Sequence, residues 1–575
     1  MFRVFQKQTL AVPALLLLAL TTASYAAAQS GPAIANCTQS NLQTLANTLP
    51  YQVSITTATP ALITGTAIAF CGVDGKITTT DPGPNTVLFE LGLPVASNSR
   101  FLFIGGGGFN GYIPAGVVDS GVEFGYATAY TDSGHESAFA SISGLEGLSA
   151  LDGSWALIEP GNTPNTAAQA DFSYRGVHVT TVVGEQLTQS YYSMSETPAS
   201  YFDGCSTGGR EAMVEAQKFP DDYNGIIAGD PAIGDPIAGF NWNDQALLAS
   251  SASYLTPSAI QTLDTAVTAA CDQSDGVKDG LIQDPELCHF NLRRLECHGH
   301  DRSNCLTEAQ IATVEQIVMG AHTEDGDQIY PGYTLSNPGG SDGWIEWITG
   351  ATQPKTNVAE PWGAPPASLA TAPLQWSFQD QFLKYFVFNN PAYDSLMFNI
   401  NSNDLNLLQA EVTLYGGNGE NTDLQPFFSH GGKLIMYHGW ADPALTPFIS
   451  VDYYNEVAQR TDDGIFGLRD NARLFMVPAM HHCGGGPGPN VFNALPNLIA
   501  WVENGQAPDQ IIATHCVNNN TSSCVPDRTM PLCPYPELAH YIGGNVDEAS
   551  SWICRESFRH GPHFDYRAHF LGLSR

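Results

Sequence analysis

Short apolar segments alternate with amphipathic ones over much of the chain. Residues 100–104 are apolar almost throughout, as expected of a central strand, and residues 212–219 place apolar side chains at helical spacing. Residues 177–183 are likewise predicted to be helical. The predicted strands are residues 87–94, 100–104, 126–131, 224–229, 433–437 and 474–478. This alternation predicts an α/β fold built on a largely parallel sheet.

The alternation stops between about residues 230 and 430. One helix is marked there, because Thr307 and Gln310 form a capping-box pattern ahead of an apolar stripe. Five of the nine tryptophans also lie in this stretch. We therefore predict a catalytic domain of residues 29–229 and 431–575, interrupted by a large inserted lid domain of residues 230–430. The aromatic side chains of the lid either line a pocket for a ring-bearing substrate or form the lid's own core.

The overall charge restricts the partners of the protein. With 57 acidic and 22 basic residues among 575, the formal net charge is −35. This charge argues against nucleic acid and against anionic membranes, because no basic stripe offsets the repulsion. A small-molecule substrate that is neutral or cationic is compatible with it. The oligomeric state does not follow from the sequence.

The first 28 residues have the pattern of a secretory signal peptide. Arg3 and Lys7 precede an apolar run over residues 10–20, and small residues follow at 24–28. The apolar run is too short to span a membrane. We therefore expect a secreted protein, extracellular or periplasmic, whose twelve cysteines form disulfides. Asn36, Asn519 and Asn520 begin glycosylation sequons, which matter only in a eukaryotic host.

One stretch carries a nucleophile motif. Residues 204–208 fit G-x-S-x-G, the sharp strand-to-helix turn that presents a nucleophilic serine, here Ser206. The pattern alone is weak, since an ordinary glycine-serine loop also fits it. The context strengthens the assignment, because a helical segment follows the motif and another short buried strand comes next. Gly204 and Gly208 then have a steric role, since strand and helix cross closely at such an elbow.

A glycine-rich turn, residues 105–111, follows the predicted central strand. As a phosphate cradle it lacks both the P-loop lysine and the dinucleotide-binding pattern. Its position fits the loop that donates backbone N–H groups to an oxyanion hole. His135, in a polar turn further along, is a weaker candidate for a catalytic base than the histidines near residue 480.

The remaining catalytic candidates follow the last predicted strands. Asp442 comes after an apolar strand and a turn, and His482 lies in a glycine-rich loop after residues 474–478. The chain order Ser206, Asp442, His482 is the order of the α/β-hydrolase triad. A serine hydroxyl needs a neighbouring base, which His482 supplies with Asp442 behind it. The backbone N–H of Thr207 and one from Gly106 to Gly108, most simply Gly107 or Gly108, then bind the oxyanion.

At this point the chain resembles the tannase and feruloyl esterase family of secreted serine esterases, which is marked by a CS-D-HC arrangement. The matching residues are Cys205-Ser206, Asp442 and His482-Cys483. The resemblance implies an α/β-hydrolase fold and a Cys205–Cys483 disulfide that joins the two catalytic loops. It also favours His482 over the adjacent His481, because the family's histidine directly precedes its cysteine.

The resemblance implies a hydrolase for esters of phenolic acids, of the galloyl or feruloyl type, acting through an acyl-enzyme. Esterases for other aromatic monoesters, such as those of terephthalate, also belong to the family. Two alternatives lie outside this class of substrates. One is a non-catalytic polyphenol- or carbohydrate-binding protein on a hydrolase scaffold, and the other is a serine peptidase on the same fold.

Residues 271–284 pack several aspartates into a glycine-containing turn, which suits a hard cation such as Ca²⁺. The spacing differs from that of an EF-hand, and a solvated acidic turn is the alternative. The resemblance implies a structural calcium ion in this part of the lid. By that match Asp272, Asp275 and Asp279 are side-chain ligands, and Val277 and Leu281 bind through their carbonyls.

The other cysteines are expected to pair with near neighbours, although sequence cannot prove the connectivity. Cys271 and Cys288 flank the acidic loop, and closing it contributes about 3 kcal/mol by loop entropy. The further expected pairs are Cys37–Cys71, Cys297–Cys305, Cys516–Cys524 and Cys533–Cys554.

Overall fold

The computed structural model describes residues 32–142, 145–158, 160–298 and 304–556. The predicted signal peptide lies outside these ranges. The strands are β1 (Gln52–Leu62), β2 (Ala69–Thr79), β3 (Asn85–Pro94), β4 (Arg100–Ile104), β5 (Ala127–Thr131), β6 (Leu157–Ile158), β7 (Thr163–Pro164), β8 (Ala199–Cys205), β9 (Gly225–Gly229), β10 (Ala321–His322), β11 (Gln328–Tyr330), β12 (Lys433–Gly439), β13 (Ala472–Val477), β14 (Ile511–Cys516), β15 (Pro526–Leu532), β16 (Glu537–Tyr541) and β17 (Trp552–Glu556).

Nine of these strands form one twisted mixed sheet in the order β1-β2-β3-β5-β4-β8-β9-β12-β13. The strands from β5 to β13 in this order run parallel, and β1, β2, β3 and β5 pair antiparallel. All five residues of β9 are buried, as expected of a strand covered on both faces. The architecture is that of an α/β hydrolase, as predicted.

Helices cover both faces of the sheet and build the inserted region. They are α1 (Pro32–Ala35), α2 (Gln39–Ala46), α3 (Asp119–Val122), α4 (Thr166–Ala170), α5 (Gly176–Tyr192), α6 (Thr207–Lys218), α7 (Pro236–Leu248), α8 (Pro257–Cys271), α9 (Glu308–Met319), α10 (Leu374–Phe382), α11 (Asn403–Thr413), α12 (Gln425–Ser429), α13 (Pro447–Gln459), α14 (Gly464–Leu468) and α15 (Leu495–Asn504). The predicted capping box at the start of α9 is confirmed, with Thr307 and Gln310 bonding each other's backbone.

Residues 37–80, in which the sequence analysis predicts no strand, contribute the long hairpin β1–β2 to the main sheet. Val53 and Ile55 of β1 are buried, whereas most of the other positions of this strand are polar and exposed. A strand with so few apolar residues gives little signal in the sequence, and pairing with the apolar β2 decides its structure. A disulfide between Cys37 and Cys71 ties this hairpin to the turn between α1 and α2.

The inserted region has its own apolar core. Trp344 packs into one cluster with the apolar faces of helices α7, α8 and α9, and Trp376 is buried beside Trp362. Part of the aromatic content therefore stabilises the insertion itself, which was one of the two interpretations of the sequence. The boundaries of the lid at residues 230 and 430 stay a prediction.

Candidate active site

The predicted nucleophile, acid and base meet at one edge of the main sheet. Ser206 directly follows β8, Asp442 follows β12, and His482 follows β13. Because these strands are parallel, their carboxyl ends lie at the same edge. Topology therefore brings together three residues that are far apart in the sequence.

The turn at Ser206 has the geometry of a nucleophile elbow. Ser206 has φ of 65° and ψ of −122°, a strained conformation for a residue with a side chain. A Cβ on Gly204 would lie 2.6 Å from the backbone of Gly208, and one on Gly208 would lie 2.9 Å from the Gly106 carbonyl oxygen. These close approaches explain why both flanking positions of the motif are glycine.

Asp442 and His482 form a buried hydrogen-bonded pair. Nδ1 of His482 lies 2.8 Å from Oδ2 of Asp442, and Oδ1 of Asp442 accepts the N–H groups of Ala444 and Leu445. Burial lowers the pKa of His482, but Asp442 and the nearby Asp230 outweigh it and leave that pKa above its ordinary value of 6.5. Burial raises the pKa of Asp442, yet the neighbouring histidines leave it below its usual range.

The other ring nitrogen of His482 is available for proton transfer. Nε2 is buried and has no hydrogen-bond partner among the described residues. His482 and Ser206 line the same cavity, and the ring of Trp347 packs edge-on against the imidazole at 4.8 Å. A substrate that fills this cavity therefore meets the serine hydroxyl and a free basic nitrogen together.

The glycine-rich loop after β4 is clamped against the elbow. The Gly106 N–H donates to the buried Glu211 carboxylate at 2.8 Å, so it is already used. The Gly107 N–H makes only a long contact of 3.4 Å with Asn110 Oδ1, and the Gly108 carbonyl accepts the Thr207 hydroxyl. Gly108 and Thr207 both line the cavity beside Ser206. The N–H of Gly106 is therefore not available to an oxyanion, and the candidate donors of this loop are Gly107 and Gly108.

His135 lies in the protein interior and serves the loop, not the chemistry. Its ring stacks on Trp155 at 3.5 Å, and Nε2 lies 2.7 Å from the Phe109 carbonyl oxygen at the end of the glycine-rich loop. Burial lowers the pKa of His135 to about 4. This neutral histidine holds the loop in place.

The cavity is rich in aromatic side chains. Helix α10 continues into a π-helical turn, and every fourth residue of this segment faces the cavity. The rings come from the glycine-rich loop, the segment before α5, helix α7 and later parts of the insertion: Phe109, Phe172, Phe240, Trp347, Phe378, Phe382 and Phe386. Phe382 and Phe386 stack at 4.6 Å, and Phe109 contacts both. Such a cavity suits a planar ring.

Comparison with known proteins identifies the family. The sequence profile described as "Tannase and feruloyl esterase" matches residues 71–555. The chain belongs to this family. It is 30% identical to a mono(2-hydroxyethyl) terephthalate hydrolase of Piscinibacter sakaiensis over 86% of this chain and 87% of that protein. It is 29% identical to feruloyl esterase B of Aspergillus niger over 85% and 87%.

A solved structure agrees with the sequence comparison. The crystal structure of feruloyl esterase B from Aspergillus oryzae superposes with a TM-score of 0.74 at 25% identity, covering 90% of this chain and 100% of that one. The protein is therefore a carboxylic ester hydrolase of the tannase and feruloyl esterase family.

Six disulfides stabilise this esterase, and they join the pairs expected from the sequence. Cys205–Cys483 links the residue before Ser206 to the residue after His482, across 278 positions of the chain. It thereby joins the elbow directly to the loop of the histidine. The other five bridges close local loops of 34 residues or fewer.

His481 has a different environment from its neighbour in this family motif. Its Nε2 lies 3.0 Å from the Asn337 carbonyl oxygen, and its Nδ1 lies 3.1 Å from the Asp342 carboxylate. Both partners belong to the insertion, and the His481 side chain is 1% exposed. His481 therefore fastens the histidine loop to the insertion and does not reach the cavity.

Two buried residues beside the triad were missed in the sequence. Asp230 directly follows β9, and His438 lies one residue before the end of β12. Both side chains are fully buried, and His438 contacts Asp442. Asp230 had a usable signal, because an acid that follows a predicted parallel strand lies at the catalytic edge. His438 gave none, since its position inside an apolar strand suggests only a core residue.

The acidic loop lies at the end of α8, closed by the Cys271–Cys288 disulfide. One oxygen of each aspartate is held by backbone N–H groups: Asp272 accepts from Asp279 and Gly280, Asp275 from Val277, and Asp279 from Leu281. Burial and the neighbouring acids Asp279 and Asp272 raise the pKa of Asp275 to about 6. The other carboxylate oxygens of these aspartates and the backbone carbonyls of Val277 and Leu281 are hard oxygen donors.

Among the described residues, three groups of side chains bring ligand atoms within 4.8 Å of one another, and the aspartates of the acidic loop do not form one of them. They are Cys205, Asp230 and Cys483; His178, Glu215 and Asp222; and Asp230, His438 and Asp442. The first group contains a disulfide, and the third includes the predicted catalytic acid. The second lies between α5 and α6, where His178 bonds Asp222 at 2.6 Å.

Proposed function

We propose that the protein is a secreted serine esterase that hydrolyses esters of phenolic acids, of the feruloyl or galloyl type. The observation that carries the proposal is the shared cavity, in which Ser206 and His482 lie among seven aromatic rings. The phenolic ring of the acyl group would pack between these rings and place the ester carbonyl at Ser206. The substrates named for the fungal and bacterial relatives are aromatic in the same way.

In the proposed mechanism, Nε2 of His482 accepts the proton of Ser206 as the hydroxyl oxygen attacks the ester carbonyl. Asp442 holds the tautomer with a proton on Nδ1 and stabilises the imidazolium. The N–H groups of Thr207 and Gly108 bind the oxyanion, and each such donor contributes about 10²–10³ in rate. His482 then protonates the leaving alcohol, and the same residues activate a water that hydrolyses the acyl-enzyme.

The charged groups of the cavity favour a neutral acyl group over a terephthalate monoester, which carries a free carboxylate. Arg210 is the one arginine or lysine among the described lining residues, and its guanidinium donates to the carbonyls of Phe172, Ser173 and Gly417. Glu411 also lines the cavity, and burial raises its pKa to about 7. An anionic ring substituent would meet this carboxyl without gaining a free cation.

A substrate panel tests the proposal. We expect kcat/KM for methyl ferulate or methyl gallate to exceed that for a terephthalate monoester and for a short alkyl ester by at least tenfold. Preference for the monoester would move the protein to the terephthalate type. Preference for short alkyl esters would refute the phenolic assignment.

We also propose that the acidic loop holds a structural calcium ion. Asp272, Asp275 and Asp279 would bind it through side chains, and Val277 and Leu281 through carbonyls. The hydrogen bonds of the loop support this, because backbone N–H groups hold one oxygen of each carboxylate and so orient the three aspartates within one turn. Bound calcium would neutralise these acids and cross-link the loop. It would take Oδ2 of Asp279 from Arg528, whose Nη1 lies 3.4 Å from that oxygen.

Secretion is part of the proposal. All twelve cysteines lie in the described ranges and are paired, which is typical of oxidising compartments. The segment that precedes the described residues has a signal-peptide pattern. Across the part of the chain that the structure covers, none of the helices has the length and apolar character needed to cross a membrane.

A further inference from the structure

Two fully buried ionisable residues, Asp230 and His438, lie behind the catalytic acid, and the mechanism above does not use them. Neither lines the cavity, so neither meets the substrate. They come from the ends of adjacent parallel strands, β9 and β12. Their contacts show what they do for the triad.

The surroundings of His438 fix the position of one proton. Its Nε2 lies 3.0 Å from the Leu445 carbonyl oxygen, 3.2 Å from Asp442 Oδ2 and 3.8 Å from Asp230 Oδ1. These three atoms are all acceptors, so Nε2 must carry a hydrogen. Nδ1 lies 2.8 Å from the Ser450 hydroxyl, which suits either protonation state of that nitrogen. The Nε2–H of His438 donates to the Leu445 carbonyl, and Asp442 Oδ2 lies between two imidazole nitrogens, Nδ1 of His482 at 2.8 Å and Nε2 of His438 at 3.2 Å.

Asp230 connects three catalytic loops with one carboxylate. Its Oδ1 accepts the N–H of Gly439 at 2.8 Å, at the end of the strand that leads to Asp442. Its Oδ2 accepts the N–H of Cys483 at 2.7 Å, directly after His482. The same oxygen lies 3.4 Å from the sulfur of Cys205, next to the nucleophile. These contacts place its negative charge close to the base without a direct bond to it.

We propose that Asp230 and His438 are positioning residues for the Asp442–His482 pair, with Asp230 fixing the histidine loop and His438 holding the Asp442 carboxylate through its Nε2–H. The proposal rests on the function proposed above. It assigns opposite electrostatic effects to the two residues. Asp230 favours the imidazolium form of His482, whereas the N–H of His438 draws on the Asp442 carboxylate and disfavours that form.

The charged groups that face His482 are Asp442, Asp230 and, more distantly, Glu346. Removing the negative charge of Asp230 therefore lowers the pH at which His482 becomes protonated. Removing the donor of His438 makes the Asp442 carboxylate a stronger acceptor and raises that pH. If Asp230 and His438 only stabilised the fold, neither of these two pH shifts would be expected.

The test compares kcat, KM and the pH profile of kcat/KM in the full-length protein and its variants. We expect His438→Leu to lower kcat at least tenfold, keep KM within threefold, and move the acid limb up by at least 0.5 pH unit. His438→Gln, whose amide restores an N–H near the position of Nε2, should recover most of both. Asp230→Asn should move the acid limb down by at least 0.5 pH unit and lower kcat.

Controls separate this inference from the proposed function. Ser206→Ala is measured in parallel, and retained hydrolysis in that variant would refute the proposed triad itself. If Ser206→Ala is inactive, equal losses in His438→Leu and His438→Gln, or acid limbs of His438→Leu and Asp230→Asn that move by less than 0.5 pH unit, would overturn the positioning roles alone. Should His438→Leu fail to fold, Asp230→Asn decides by the direction of its shift, and a tenfold loss of kcat in His438→Gln would overturn the role of His438.

Discussion

Among single residues, the two adjacent histidines 481 and 482 differ most in what surrounds them. His482 bonds Asp442 and lines the cavity, whereas His481 bonds the insertion and is buried away from it. We expect His482→Ala to lower kcat at least 10³-fold with the melting temperature little changed, because the serine loses its base. His481→Ala should keep kcat within tenfold of wild type but melt at a lower temperature. Steady-state kinetics and thermal melts of both variants check this, and a reversed pattern would assign the base to His481.

The pH dependence of catalysis follows from the same pair. The pKa of His482 is raised above 6.5, and the base acts only in its neutral form. Activity should therefore be lost as the pH falls through a value above 6.5, while the fold persists. The measurement is a pH profile of kcat/KM with fluorescence as a folding control. An acid limb below pH 6 in folded protein would contradict the assigned environment of His482.

Among single residues, the sequence predicts those candidate catalytic residues that stand in or beside a recognisable motif. Ser206 stands in an elbow pattern, and Cys205 and Cys483 mark the serine and the histidine. Gly106 was included among the oxyanion donors because sequence cannot show that its N–H is bound by Glu211, 105 positions away. Asp230 was missed although it follows a predicted parallel strand, and His438 was missed because its position inside an apolar strand suggests only a core residue.

Among the structural elements, the Cys205–Cys483 bridge joins the elbow to the loop after β13. Replacing both cysteines with serine should cost several kcal/mol of unfolding free energy, because the chain-entropy term for loops longer than 100 residues reaches about 5 kcal/mol. It should also lower kcat, because the residues beside Ser206 and His482 would no longer be joined covalently. The matched control is Cys297→Ser with Cys305→Ser, which opens a bridge of only 8 positions in the insertion. Similar kinetics in both double variants would show that the bridge does not position the triad.

The acidic loop at the end of α8 gives a prediction for metal removal. Chelation should lower the melting temperature of the wild type, because uncompensated carboxylates would remain in a half-buried turn. Asp275→Ala should melt at a lower temperature and respond little to chelator. Asp325→Ala, at an exposed acid elsewhere in the insertion, should respond like the wild type. A wild type that is insensitive to chelation would remove the calcium proposal.

Elements were predictable where their pattern is strong. The apolar strands β4, β9 and β12 and the helix α5 were evident, since they are buried on both sides or strongly periodic. The hairpin β1–β2 was not, because β1 is mostly polar and owes its structure to its partner. Tertiary pairing overrides local pattern in such strands.

On the scale of the whole molecule, the cavity depends on both parts of the chain. The glycine-rich loop and the segment before α5 supply Phe109 and Phe172. The insertion supplies the other five rings, Phe240, Trp347, Phe378, Phe382 and Phe386. The sequence predicted an aromatic insertion but not which rings face the cavity. That choice depends on how the insertion sits on the sheet. Trp344 and Trp376, for example, are buried in its own core.

The central claim is that Ser206 is the nucleophile of a working esterase. The most direct measurement is the mass of the intact folded protein after reaction with a fluorophosphonate, followed by peptide mapping. Wild type and Ser173→Ala, a serine that lines the same cavity, should each gain one adduct on Ser206. Ser206→Ala should gain none. An unlabelled folded wild type, or an adduct that persists in Ser206→Ala, would contradict the account.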